Sequence, residues 1–337
     1  MLQAKNKIRE IVGQTPGALS EDILLSNEPV VLRGFVADWP IVQAGLAPGK
    51  ASYQYLQSFM NSASITVTCG EPNIKGHVSY TEDLATPNVR RELMTLGQLL
   101  DKCMRHEDDL EPPLYYVAST TPEECLPGVT SANRMKLGDR QLLESIWIGN
   151  QSRIPAHYDL PDNIACVAIG KRKFTLFPPE QLENLYVGPL DVTPAGQPIS
   201  VVDNHAPDFA KYPKYREALK AARVAELEPG DAIFIPSMWW HQVEALSKFN
   251  VLMNYWWRQS PAFMGPPADA LLHAILTLRD LPPAQKKAWK GIFDHYVFEN
   301  DDETVAHIPD ETRGSLGPVT DTMARRIRSY LLNRLNR

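Results

Sequence analysis

Several features that would identify a protein quickly are scarce in this sequence. Cysteine is one. Cys69, Cys103, Cys125 and Cys166 lie far apart and form no CxxC pair, which argues against zinc-ribbon and thiol-exchange chemistry and for reduced thiols in a cytoplasmic protein. No run of about 18 apolar residues occurs, and the opening MLQAKNKIREIVGQ holds no signal-peptide core, so a soluble protein without a membrane partner is expected. Surplus positive charge is missing too. A formal net charge of −6 and a pI near 5.8 leave no global basic field, which disfavours nucleic acid as a partner. Neither a glycine-rich phosphate loop nor a Ser-His-Asp or Cys-His signature is visible.

What is present reads as a folded chain. Hydrophobic residues make up 44% and charged residues 22% of 337 residues, enough to bury a sizeable core. Residues 1 to about 25 read as a helix, followed by a short buried strand from Pro29 to Phe35. Helical stretches at Tyr53–Met60 and Thr95–Arg105 flank a strand at Ser64–Thr68. From about residue 112, short β-rich runs alternate with Pro, Gly, Asn and Asp: Leu114–Ala118, Glu144–Ile148, Ile164–Ile169, Phe174–Phe177, Ala232–Ile235 and Val251–Trp257. That spacing predicts a sandwich or barrel and not βαβ units. After Pro266-Pro267 the apolar spacing turns helical, ending in a stripe of Met323, Ile327, Tyr330, Leu331 and Leu335 suited equally to self-packing and to pairing with a second copy. The expected organisation is a mixed leader (1–110), a β core (111–260) and a helical region (261–337), in a mainly β protein with flanking helices.

The chemistry concentrates in two places. Pro155-Ala156-His157-Tyr158-Asp159 puts an imidazole and a carboxylate two residues apart, on one face of an extended chain. Much later, His241 ends the Pro236–His241 segment, directly after Glu228–Asp231 and the strand Ala232–Ile235. Two imidazoles and one carboxylate leave part of a metal's coordination sphere open, the pattern of non-haem Fe(II) oxygenases. The competing reading makes His157 a hydrogen-bonded core histidine and Asp159 the start of a turn. Four indoles, Trp239, Trp240, Trp256 and Trp257, surround the third candidate ligand and read mainly as packing. A Pro- and Asp-rich stretch from Tyr186 to Tyr215, with His205, reads as an insertion able to gate a site or contact substrate.

From Pro29 to Arg258, the order of Pro29–Phe35, Asp38-Trp39-Pro40, Ile148-Gly149, Pro155–Asp159, Gly170–Pro179, Pro229-Gly230-Asp231, Trp239-Trp240-His241 and Asn254-Tyr255-Trp256 resembles the JmjC and cupin-like (cupin 8) hydroxylases. The resemblance implies a double-stranded β-helix, or jelly roll, with Fe(II) on His157, Asp159 and His241, and 2-oxoglutarate and O2 as cosubstrates. It also implies a basic residue for the distal carboxylate at Arg172, and Tyr115, Asn163 and Asn254 as further cosubstrate contacts. Alternation independently sets Arg172 on a face with Cys166, Ala168, Phe174 and Leu176, opposite Lys171 and Lys173. A lone Arg on an apolar face calls for an anion, and its fork fits a carboxylate. The family's asparaginyl hydroxylase has threonine three residues before the first metal histidine, where this chain has Ile154. The reaction implied is hydroxylation, of a protein or peptide side chain by preference or of a small molecule. A cupin-type metalloenzyme that does not use 2-oxoglutarate and a non-enzymatic barrel binding protein are the alternatives.

Overall fold

The computed structural model describes residues 6–335 and divides into two units, Met1–Gln259 and Ser260–Arg337. Two sheets build the first. The smaller runs in the order β1 (Asn6–Lys7), β11 (Arg223–Leu227), β10 (Arg172–Phe177), β13 (Trp240–Ala245) and β8 (Ser152–His157). The larger runs β2 (Arg9–Val12), β3 (Val30–Arg33), β12 (Ala232–Ile235), β9 (Asp162–Ile169), β14 (Asn250–Trp257), β7 (Leu143–Gly149), β6 (Leu114–Thr120), β4 (Ser64–Gly70) and β5 (Arg90–Thr95). Strands distant in sequence are neighbours, and the core pairings of β7 to β14 are antiparallel, the jelly-roll arrangement expected.

Three apolar layers follow from strand alternation. Between the sheets, Phe174, Leu176 and Val243 of the smaller meet Val31, Ala165, Val167, Ile233 and Leu252 of the larger. The outer face of the larger sheet buries Val67, Ile146, Ile148, Cys166 and Met253 under helices Pro40–Leu46, Ala51–Gln57 and Leu96–Arg105. The last of these starts at a capping box in which the Thr95 hydroxyl accepts from the Gln98 amide and the Gln98 side chain accepts from Thr95 N–H. The outer face of the smaller sheet is covered by the 186–215 stretch and helix Tyr215–Ala221, through Tyr186, Val202, Tyr212 and Tyr215. All four thiols are buried and unpaired.

Two expectations need correction. The helix read over residues 1–25 is not formed among the described residues, residues 1–5 lying outside them. Asn6–Lys7 and Arg9–Val12 are instead parallel edge strands of the two sheets, and only Glu21–Leu24 is helical. Ile8, between them, is buried in the inter-sheet layer, so its spacing from Ile11 reflects a change of sheet and not a helical turn. Second, Arg172 shares its face with Phe174 and Leu176 but not with Cys166 and Ala168, which lie on the far side of the larger sheet. The chain passes between sheets at Gly170, whose φ of +76° resets the alternation.

In the second unit, Pro267–Leu278, Pro283–Phe293 and Asp321–Leu335 are helical. Among its described residues only Ala324 is buried. Among the described residues, no helix is long and apolar enough to cross a membrane.

Candidate metal centre

The site forms where β8 and β13 lie side by side, with His157 directly opposite His241. One extra residue in β8 between the pairs His241–His157 and Val243–Ile154 makes a bulge at Pro155-Ala156. Bulges re-aim side chains, and this one brings Ile154 and His157, three residues apart, to the same interior cavity. Asp159 lies just past the strand, its backbone carbonyl accepting from Met238 N–H at 3.0 Å.

His157, Asp159 and His241 each offer a ligand atom, all within 4.8 Å of one another. The imidazole centroids are 4.3 Å apart and His241 Nε2 is 3.7 Å from Asp159 Oδ2. His157 Nδ1 lies 2.8 Å from the Pro155 carbonyl and His241 Nδ1 3.0 Å from the Trp239 carbonyl. A carbonyl only accepts, so Nδ1 carries a proton in both rings, and Nε2 is the nitrogen each ring has left for a metal. Burial, with His157 alongside, pushes the His241 imidazole down to about 4 against the opposing pull of Asp159. It is neutral at physiological pH, the state a metal needs.

These three residues line a cavity with Trp147, Ile154, Asn163, Arg172, Phe174, Ile235, Val243, Leu252, Asn254 and Trp256. Arg172 rises from the β10 end far from the histidines: it pairs with Ala245, four residues beyond His241. It is 5% exposed, forms no hydrogen bond or ion pair with any described residue, and its Nε is buried without a partner. Desolvation with nothing to offset it pushes the guanidinium down to about 10, still charged at neutral pH. Asn254 donates to Asn163 Oδ1 at 3.0 Å, leaving its own Oδ1 buried and unpartnered.

The structure does not bring Tyr115 to this cavity. Its ring lies on the helix-covered face, 5.0 Å below Lys102 Nζ and beside His106. Tyr116 occupies the interior face, packed with Ile154 and Trp147. His205 sits outside the smaller sheet, paired with Glu244 at 2.5 Å, and no residue of the 186–215 stretch lines the cavity. Of the four indoles expected near the site only Trp256 reaches it. Sequence reasoning missed Trp147, although β7 carries the signal: Ile146 and Ile148 face the helices, which turns Ser145 and Trp147 inward.

Comparison with known proteins agrees with this architecture. Residues 16–263 match the cupin-like domain family. Lysine-specific demethylase JMJ31 of Arabidopsis thaliana is 34% identical over 125 residues, 36% of this chain and 22% of that protein. Lysine-specific demethylase 8 of Xenopus tropicalis is 24% identical over 237 residues, 69% of this chain and 49% of its own length. The chain thus spans less than half of either demethylase. The tRNA wybutosine-synthesizing protein 5 of Gallus gallus is 35% identical over 275 residues, 76% of this chain and 78% of the relative. With most of its first unit inside the family match over residues 16–263, the chain belongs to the cupin-like family of JmjC type.

Proposed function

We propose that the protein is an Fe(II)- and 2-oxoglutarate-dependent oxygenase in which His157, Asp159 and His241 hold the iron and Arg172 binds the distal carboxylate of 2-oxoglutarate. The observation that carries this reading is the buried, unpartnered Arg172 in the cavity that also holds three convergent ligands. A guanidinium left unpaired in a protein interior costs several kcal/mol, and a dicarboxylate reaching from metal to Arg172 would remove that penalty. The donor set suits the group: two imidazoles and one carboxylate would leave coordination positions for a chelating keto acid and O2. With both bound, iron supplies an oxidant able to hydroxylate a C–H bond. The protein's share is to orient the cosubstrate and keep water out with Ile154, Phe174, Val243 and Leu252.

Anaerobic titration of the Fe(II) protein with 2-oxoglutarate tests this. The weak visible charge-transfer band of a chelated keto acid should appear, vanish in His157→Ala and weaken in Arg172→Ala. No band with iron bound would hand the site to metal chemistry without this cosubstrate.

The substrate favoured is a macromolecular side group. A protein or peptide side chain is the first reading; a tRNA nucleotide is the second, favoured by similarity to a relative named for tRNA over 78% of its length. Net charge alone therefore does not dispose of nucleic acid. Succinate formed from 2-oxoglutarate with peptide pools or with tRNA distinguishes the two. A second copy of the chain is the partner proposed for the helical unit, because Leu272, Leu276, Phe298 and Leu332 are all more than half exposed; light scattering should give twice the chain mass.

A further inference from the structure

Arg172 is not the one orphan donor in the cavity. The indole Nε1 of Trp147 is also buried and has no partner among the described residues. Its place along the barrel is fixed by register. Trp147 pairs with Leu252, one inward-facing step deeper than Ser145 and Asn254, and two deeper than Leu143 and Trp256 at the metal end. In the smaller sheet Phe174, Val243 and Ile154 form one row, one inward-facing step along β10 from Arg172, and all four line the same cavity as Trp147. Trp147 packs on the clusters that contain Phe174, Val243 and Leu252 on one side and Ile154 and Tyr116 on the other.

None of those aliphatic and phenyl neighbours can accept a hydrogen bond from the indole N–H. The Tyr116 ring lies almost parallel to the Trp147 indole, at 7°, with ring centroids 6.4 Å apart. A buried indole N–H ordinarily finds an acceptor. A carboxylate bound by one guanidinium has lone pairs to spare.

We propose that Trp147 is a positioning residue whose indole N–H donates to the same distal carboxylate that Arg172 binds, supplying the second donor at the deep end of the cavity. This rests on the function proposed above. It predicts that selectivity for a dicarboxylate over a keto monocarboxylate is shared between Arg172 and Trp147.

The test titrates the Zn(II)-loaded protein, which cannot turn over, with 2-oxoglutarate and with 2-oxopentanoate, equal in length but lacking the distal carboxylate. Trp147→Phe keeps the ring and removes the N–H. It should bind 2-oxoglutarate about tenfold more weakly, the effect of one hydrogen bond to a charged group, and 2-oxopentanoate unchanged. Ile154→Thr, which offers a hydroxyl to the same cavity, should restore most of the loss in Trp147→Phe while adding little to wild type. In wild type, one indole N–H proton resonance should move downfield with 2-oxoglutarate and stay in place with 2-oxopentanoate; this readout survives if the variant fails to fold. Equal losses for both acids, no loss, or no shifted indole would overturn the role of Trp147 alone. Wild type that binds the two acids equally, or neither, would overturn the assignment of Arg172 as well.

Discussion

Replacing Arg172 by methionine should make the protein more stable without ligand while removing its response to 2-oxoglutarate. The side chain is buried and unpaired. Desolvation holds its guanidinium down at about 10, and that displacement sets the scale of the penalty on the charged form. At about 1.4 kcal/mol per pKa unit this sets an upper bound of about 3.5 kcal/mol. The folded pKa lies below the unfolded one, so the penalty applies throughout the range below about 10, neutral pH included. Methionine keeps the packing of the stem and removes the charge. For a unit of this size the melting point should rise by roughly 5–10 °C. Thermal unfolding followed by near-ultraviolet circular dichroism, in chelator and low-anion buffer, measures it. Wild type with metal should then gain about 2.7 kcal/mol at 2-oxoglutarate concentrations a hundredfold above Kd, and Arg172→Met nothing. A variant less stable than wild type, or one still stabilised by 2-oxoglutarate, would show that Arg172 is paired in solution or is not the anion site.

Other perturbations test the rest of the structure. His157→Ala should weaken metal binding by roughly a hundredfold or more, read by competition with a fluorescent chelator, because its Nε2 is one of three ligand atoms. Gly149→Ala should cost more than about 4 kcal/mol in a urea titration: its Cβ would lie 2.4 Å from the Tyr115 carbonyl oxygen and 2.7 Å from Tyr116 Cα, backbone atoms that cannot step aside. Asp231→Ala should cost about 3 kcal/mol by the same assay. It would strip acceptors from the Gly34 and Glu228 amides and from the Arg33 guanidinium at 2.8, 3.0 and 2.6 Å. Burial pushes the thiols of Cys69 and Cys125 up to about 11 and that of Cys103 to about 12, and raises that of Cys166 well above its ordinary value. All four should therefore ignore a thiol reagent at pH 8 in the native protein and react together in guanidinium.

What the sequence disclosed and what it withheld divide along one physical line. The expected metal ligands could be read because each rests on local facts: a His and an Asp two apart, and a His just beyond a buried strand. The placement of Tyr115 depended on something non-local. Two adjacent tyrosines on β6 point to opposite faces, and which of them looks inward is set by the register with β7, where the pairing slips between Val117 and Thr120 and Ser119 takes a φ of +48°. A one-residue difference in register exchanges the two faces. Arg172 was picked out correctly as the basic residue facing inward, yet with the wrong companions, because alternation was carried through Gly170 and a strand's parity does not survive passage from one sheet to the other. Trp147 shows the converse. The pattern Ser145-Ile146-Trp147-Ile148 fixes its parity locally, but an inward-facing indole in a barrel ordinarily reads as filling. Only its unpartnered Nε1, together with the unpartnered guanidinium of Arg172 in the same cavity, gives that nitrogen a chemical meaning. Parity is written in the sequence. The inventory of unpaired groups, which points to the ligand, exists only once the chain is folded.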